Sequence, residues 1–176
     1  MRVCPAGMQC ETSLDNAETV NTNHFLCFTV KGAFINMPEV LKQRYDVSAD
    51  DFTSAGAASA AVKKTLKQLG FPPDFIRRTS IAMYEGEINM VIHGEGGVAE
   101  IEIAEDYVKI TLTDQGPGIA DINLAMQEGW STASDYVREL GFGAGMGLPN
   151  IKKQSDDLKI ISEVGVGTTL VITISQ

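Results

Sequence analysis

Apolar and polar positions change period several times along the chain, and each change predicts an element. Residues 41–47 read as a strand. A helix follows, capped by Thr53 or Ser54 and running through Leu69. Ala58, Val62, Leu66 and Leu69 share one of its faces and Gly70 stops it. Phe71-Pro72-Pro73-Asp74 makes a turn and a new cap. A second helix runs from about Phe75 to His93, with Ile81, Tyr84, Ile88, Val91 and Ile92 as the stripe that packs on a sheet. It ends at Gly94-Glu95-Gly96-Gly97. Alternation takes over in Ala99–Ile103 and Val108–Thr113, with Glu105-Asp106 as the turn, so this pair is a β-hairpin with one face buried.

From Ile119 to Phe142 the period fades, apart from a short helical candidate at Asp121–Gln127. A third helix begins inside Gly141-Phe-Gly143-Ala-Gly145-Met-Gly147-Leu148 and runs to about Asp156. Two closing strands, Asp157–Val164 and Thr168–Ser175, flank a turn at Gly165-Val166-Gly167. This order predicts an α/β (α+β) two-layer sandwich, a mixed, mostly antiparallel sheet with helices on one face. Residues 41–176 form that domain. Residues 1–40 are an extension without an assigned function: no apolar period reaches Asn23, which predicts flexibility, and His24–Val30 reads as a short strand ended by Lys31-Gly32. Met37 is an alternative start for the working domain.

Composition narrows the function classes. The chain has 176 residues, 44% of them hydrophobic and 21% charged, as expected of one soluble globular domain. No apolar run approaches the roughly 20 residues that span a bilayer. Residues 1–16 lack a secretory signal pattern, which predicts a cytoplasmic protein without membrane contact. A net charge of −9 argues against non-specific nucleic-acid binding. It leaves open a nucleotide held by backbone N–H groups and Mg²⁺. Cys4, Cys10 and Cys27 cannot all pair with one another, so free thiols are expected, and His and Cys are too scattered for a four-ligand zinc site.

Candidate chemistry lies on the second helix and in two glycine clusters. Glu85, Asn89 and His93 are spaced four residues apart. Glu85 and Asn89 project from the edge of the apolar stripe, so both should be at least half buried and need partners. One reading is a magnesium site: the Asn89 amide oxygen suits the ion, and a carboxylate one turn earlier can orient or deprotonate a hydroxyl. The other is an amphipathic helix whose polar face happens to carry Glu and Asn. His93 is expected to pack or cap at the Gly94 turn, and Glu87 to face solvent. Asp114 ends a strand, followed by Gly116 and Gly118. That carboxylate can accept from an exocyclic amine, and the glycines let backbone approach a ring, although an ordinary Gly/Pro turn has the same pattern. Gly143, Gly145 and Gly147 lead into a helix, which aims free N–H groups at an anion site; a flexible hinge is the alternative. The cluster is neither a Walker loop nor a Rossmann fingerprint. Thr168 and Thr169 either set a hydroxyl near a base or simply open a strand.

Taken in order, Glu85-x-x-x-Asn89-x-x-x-His93-Gly94, Asp114-x-Gly116-x-Gly118 and Gly143-x-Gly145-x-Gly147-Leu148 closely resemble the N, G1 and G2 boxes of the Bergerat-fold ATPases, the superfamily of gyrase B, Hsp90, histidine kinases and MutL. Within it, the domain resembles the anti-sigma-factor serine/threonine kinases of bacterial partner-switching systems. The run from Asp121 to Thr132 looks most like their stressosome switch-kinase branch. The resemblance implies ATP and Mg²⁺ as cofactors. Glu85 would be the general base and Asn89 the Mg²⁺ ligand. Asp114 would bind the adenine amine, with Gly116 and Gly118 shaping the base pocket and Thr168 beside it. Residues 119–142 would form a lid. Gly143, Gly145 and Gly147 would cradle phosphates, with His93, Ile119, Ala144, Met146 and Leu148 also against the nucleotide. It further implies a small anti-sigma-factor antagonist as protein substrate, a sigma factor or a phosphatase as second partner, and a homodimer as one assembly. An ATP-gated binding module with little turnover is the alternative function. A histidine kinase fragment ranks below both, because no helical-hairpin dimerisation segment is evident. Gly86 departs from the pattern: alanine suits a helix interior better by about 1 kcal/mol.

Overall fold

The computed structural model describes residues 40–49 and 51–176 in full. Of residues 1–39 it describes only the backbone of four strands: β1 (Arg2–Val3) with β2 (Gln9–Cys10), and β3 (Phe25–Val30) with β4 (Ala33–Pro38), both pairs antiparallel. β3 agrees with the strand expected at His24–Val30. The flexibility expected before Asn23, and the thiols of Cys4, Cys10 and Cys27, lie outside the described residues.

The domain that follows runs β5 (Leu41–Ser48), α1 (Ala57–Leu69), α2 (Pro73–Ile92), β6 (Gly96–Ile103), β7 (Tyr107–Thr113), α3 (Ile122–Ala125), α4 (Asp135–Glu139), α5 (Gly147–Gln154), β8 (Asp157–Glu163) and β9 (Gly167–Ser175). Its five strands form one sheet in the order β5-β6-β7-β9-β8, and every pairing is antiparallel. Alternate strand residues therefore point to one side. Ile101, Ile110 and Ile172 meet Leu66, Met83, Met90 and Ile151 of the helices there, all at 2% exposure or less. The opposite side of the sheet presents Glu100, Glu102, Lys109, Thr111 and Thr173.

The helices differ from the sequence reading in four places. Thr53 and Ser54 do not cap α1; both hydroxyls and both N–H groups donate to Asp51, holding its carboxyl at about 2. The α1 cap comes from elsewhere in the chain. Glu87, expected in solvent, is 2% exposed; its carboxylate accepts from Ala58 N (3.1 Å) and Ser59 N (2.9 Å), and from Gly56 N (3.0 Å) at the N-cap. A carboxylate on the free N–H groups of a helix start is favourable both as a hydrogen-bond acceptor and against the helix dipole.

The buried stripe of α2 is also rotated. Ile88 and Val91 of the expected stripe are buried, but Thr79, Ala82, Met83, Gly86 and Met90 face inward with them, whereas Tyr84 is 40% exposed and Ile81 and Ile92 are only half-buried. The reason is that α2 lies between the sheet on one side and α1 on another, so no single apolar stripe marks its buried face. Gly86 answers to this packing. A Cβ there would run into Cδ1 of Leu112, itself 1% exposed, so the tight seat of α2 on β7 offsets the lost helix propensity. Finally, α3 and α5 are shorter than expected, and α4, capped by Ser134, was not foreseen: one turn carries no readable period.

Candidate active site

One cavity of about 890 Å³ opens between α2, the ends of β7 and β9, the 119–142 segment and the start of α5. Of the residues singled out in the sequence, Glu85, Asn89, His93, Asp114, Gly118, Ile119, Gly143, Ala144, Gly145, Met146, Gly147, Leu148 and Thr168 line it. Gly116 does not. It stands behind Asp114 and donates its N–H to that side chain.

Asp114 sits where β7 ends beside the start of β9. Its N–H donates to Thr168 O (2.9 Å), and its Oδ1 accepts from Gly116 N and Thr168 N, both at 3.0 Å. These bonds fix the carboxylate and leave Oδ2 for a donor arriving in the cavity. Burial pushes the carboxyl up, and the two N–H donors oppose that shift. Thr168 is buried, and its hydroxyl lies 2.8 Å from Ser162 Oγ. Ser162 also accepts from Ile119 N (2.8 Å), which ties the start of the 119–142 segment to β8.

Spacing of four on α2 turns Glu85, Asn89 and His93 toward the same cavity, as helical geometry requires. Glu85 and Asn89 are both half-buried, as expected. Glu85 Oε1 accepts from Asn150 Nδ2 of α5 at 2.7 Å, a partner that sequence reading missed. Asn89 faces Gly147, the first residue of α5: a Cβ on Gly147 would lie 2.8 Å from Asn89 Oδ1. Gly147→Ala should therefore displace the Asn89 amide. If the cavity takes a nucleotide with Mg²⁺ at Asn89, as the resemblance implies, the expected result is at least a tenfold loss of that affinity in titration calorimetry, with an unchanged circular dichroism spectrum.

His93 caps α2, as anticipated, and its Nδ1 lies 3.4 Å from Thr132 Oγ1. Burial lowers its pKa from the ordinary value. Below pH 6.5 the unfolded chain therefore takes up this proton before the folded one does, and stability present above pH 6.5 is lost as pH falls. Denaturant melts of His93→Asn between pH 5 and 7 should show a flatter dependence than the parent.

The segment over the cavity is held at several points. Gly129 N donates to Gly145 O (3.0 Å), Arg138 donates to Ala133 O and Ser131 O, and Phe142 stacks on Phe52 with centroids 5.5 Å apart. Gly145 has φ +73° with the Trp130 backbone against it, so a side chain is excluded twice over. The cavity wall carries Glu85, Glu95, Asp114 and Asp121 but no Lys or Arg. A polyanion entering it depends on backbone N–H groups and on a metal cation. Among the described residues no three His, Cys, Asp or Glu side chains gather into a metal site of their own. The oxygen of Asn89, beside the uncapped start of α5, suits Mg²⁺, which takes few protein ligands and completes its shell with phosphate oxygens and water.

Residues 79–176 match the family described as histidine kinase-, DNA gyrase B-, and HSP90-like ATPase. The chain is 33% identical over 118 residues to the serine/threonine-protein kinase RsbT of Bacillus subtilis, covering 65% of this chain and 83% of that protein. It is 36% identical over 121 residues to the anti-sigma F factor of Clostridium beijerinckii, covering 65% and 81%. In fold it resembles the crystal structure of the RsbU and RsbW domains of a Mycobacterium tuberculosis protein. That match has a TM-score of 0.54 at 17% identity and covers 81% of this chain and 35% of that one. By the family match over more than half its length, the chain belongs to the histidine kinase-, DNA gyrase B- and HSP90-like ATPases.

Proposed function

We propose that this chain is a serine/threonine protein kinase of a bacterial partner-switching system, transferring the γ-phosphoryl group of ATP to a serine of a small antagonist protein. The observation that carries this reading is the single cavity in which a carboxylate (Glu85), a magnesium-competent amide (Asn89), an amine acceptor (Asp114) and a glycine-rich helix start face one another. The relatives named as a kinase and as an anti-sigma factor support it.

Asp114 Oδ2 accepts from the adenine amine, with Thr168 beside it, Gly116 holding that carboxylate from behind and Gly118 shaping the base pocket. Gly143, Gly145 and Gly147 leave the backbone N–H groups at the start of α5 open to the phosphates. Mg²⁺, held through Asn89, supplies the charge neutralisation that this cation-free wall lacks. Glu85 takes the proton of the serine hydroxyl as the serine oxygen bonds to the γ-phosphorus and the bond to the β–γ bridging oxygen breaks, releasing ADP. Residues 119–142 close over the nucleotide. Residues 41–176 are the working domain, in the cytoplasm, and a sigma factor or a phosphatase is the second partner, held or released according to phosphorylation of the first.

Incubation of the chain with γ-labelled ATP, Mg²⁺ and purified candidate antagonists tests this. Label on a serine of the antagonist is the expected outcome. Tight ATP binding and antagonist capture without phosphoprotein would replace the kinase by an ATP-gated binding module.

A further inference from the structure

Of the contacts that link α5 to α2, two meet the two polar residues of the site separately. Gly147, first in α5, lies against the Asn89 amide. Three residues later, on the same side of α5, Asn150 donates from Nδ2 to Glu85 Oε1 at 2.7 Å. Residues 147 and 150 of one helix thus face 89 and 85 of the other, as antiparallel packing at three- and four-residue spacing demands. Asn150 is itself fixed: its backbone N–H donates to Met146 O at 2.8 Å, in the first turn after the glycine cluster.

From this geometry we infer that Asn150 is the positioning residue for Glu85, and that through it the base is tied to the helix whose start receives the phosphates. The inference rests on the reading of Glu85 as general base. A free carboxylate turns about its last bond and offers either oxygen to a hydroxyl. With Oε1 held by an amide N–H, Oε2 alone is left to take the proton, in one orientation. An uncharged donor does this without competing for the proton, as a second carboxylate at the same place would. Because Asn150 and Gly147 belong to the same two turns of α5, any shift of the phosphate-binding end moves the base as well. Nucleotide seating and alignment of the base become a single event.

The test has two arms, both on the full chain. In the nucleotide-free protein, the side-chain amide resonances of Asn150, assigned by their loss in Asn150→Ala, should shift in Glu85→Ala. Unshifted resonances would mean that the contact is not made in solution. In the second arm, Asn150→Ala and the isosteric Asn150→Asp are assayed for ATP affinity and phosphotransfer beside Glu85→Gln. The expected pattern is ATP affinity within twofold of the parent and kcat lower by about ten- to a hundredfold, with Asp at least as damaging as Ala although it fills the same volume. Parent-like kcat in both Asn150 variants, or loss of ATP affinity in step with kcat, overturns the positioning role. Should Glu85→Gln keep its kcat, the general-base reading falls and this inference with it; should only the Asn150 variants keep theirs, the base stands and the inference alone fails.

Discussion

Glu85→Gln is expected to lower phosphotransfer to the antagonist by about 10²–10⁴-fold, the range that a positioned general base contributes. ATP affinity should stay within a few fold, because the proposed function assigns the nucleotide to other groups: the Asp114 carboxylate, the N–H groups after Gly143 and an ion at Asn89. Glutamine keeps the length of the side chain, and its amide oxygen can still accept from Asn150 Nδ2, as Oε1 does now at 2.7 Å. What it loses is the ability to take a proton. A single-turnover assay with excess kinase separates this loss from product release. Retained transfer would remove Glu85 from the base role.

The second large effect falls on stability. Glu87→Ala takes away the one side chain among the described residues that accepts from the first N–H groups of α1, leaving those of Ala58 and Ser59 buried and unsatisfied. Loss of a cap costs about 0.5–2 kcal/mol and each orphaned buried donor about 1–3 kcal/mol, so a net loss of about 3 kcal/mol is expected. For a domain of this size that lowers Tm by about 10 °C. Thr53→Ala and Ser54→Ala, which touch only the exposed Asp51 turn, should each stay within about 0.5 kcal/mol of the parent. Thermal melts of the three variants side by side decide which residue caps α1. Equal losses in Ser54→Ala and Glu87→Ala would contradict the assignment.

The contrast between Ser54 and Glu87 shows what could be read from the chain. Local signals were legible: the alternation of β6 and β7, the stop of α1 at Gly70 in the left-handed region with φ +82°, and the helix start inside the second glycine cluster. Four-residue spacing on α2 was enough to put Glu85, Asn89 and His93 on one side. Contacts made by residues far apart in sequence were not legible. Glu87 looks like a solvent-facing residue on any helical wheel, because its partners lie 28 to 31 positions earlier. Asn150 carries no signal at all until α5 is laid on α2, 65 positions from Glu85. Gly86 looked like a weak point for the same reason: its cost is local and its compensation, the contact with Leu112, comes from the sheet.

All the chemistry assigned to this chain requires that Asn89, Asp114 and the start of α5 serve one ligand together. Titration calorimetry of ATP into the purified protein, with Mg²⁺ and again with EDTA, for the parent and for Asp114→Asn, measures that requirement directly. One saturable site per chain, weakened at least tenfold by removing the ion and by the Asp114 substitution, is the predicted result. Absence of ATP binding, or binding indifferent to both the ion and Asp114, would contradict it.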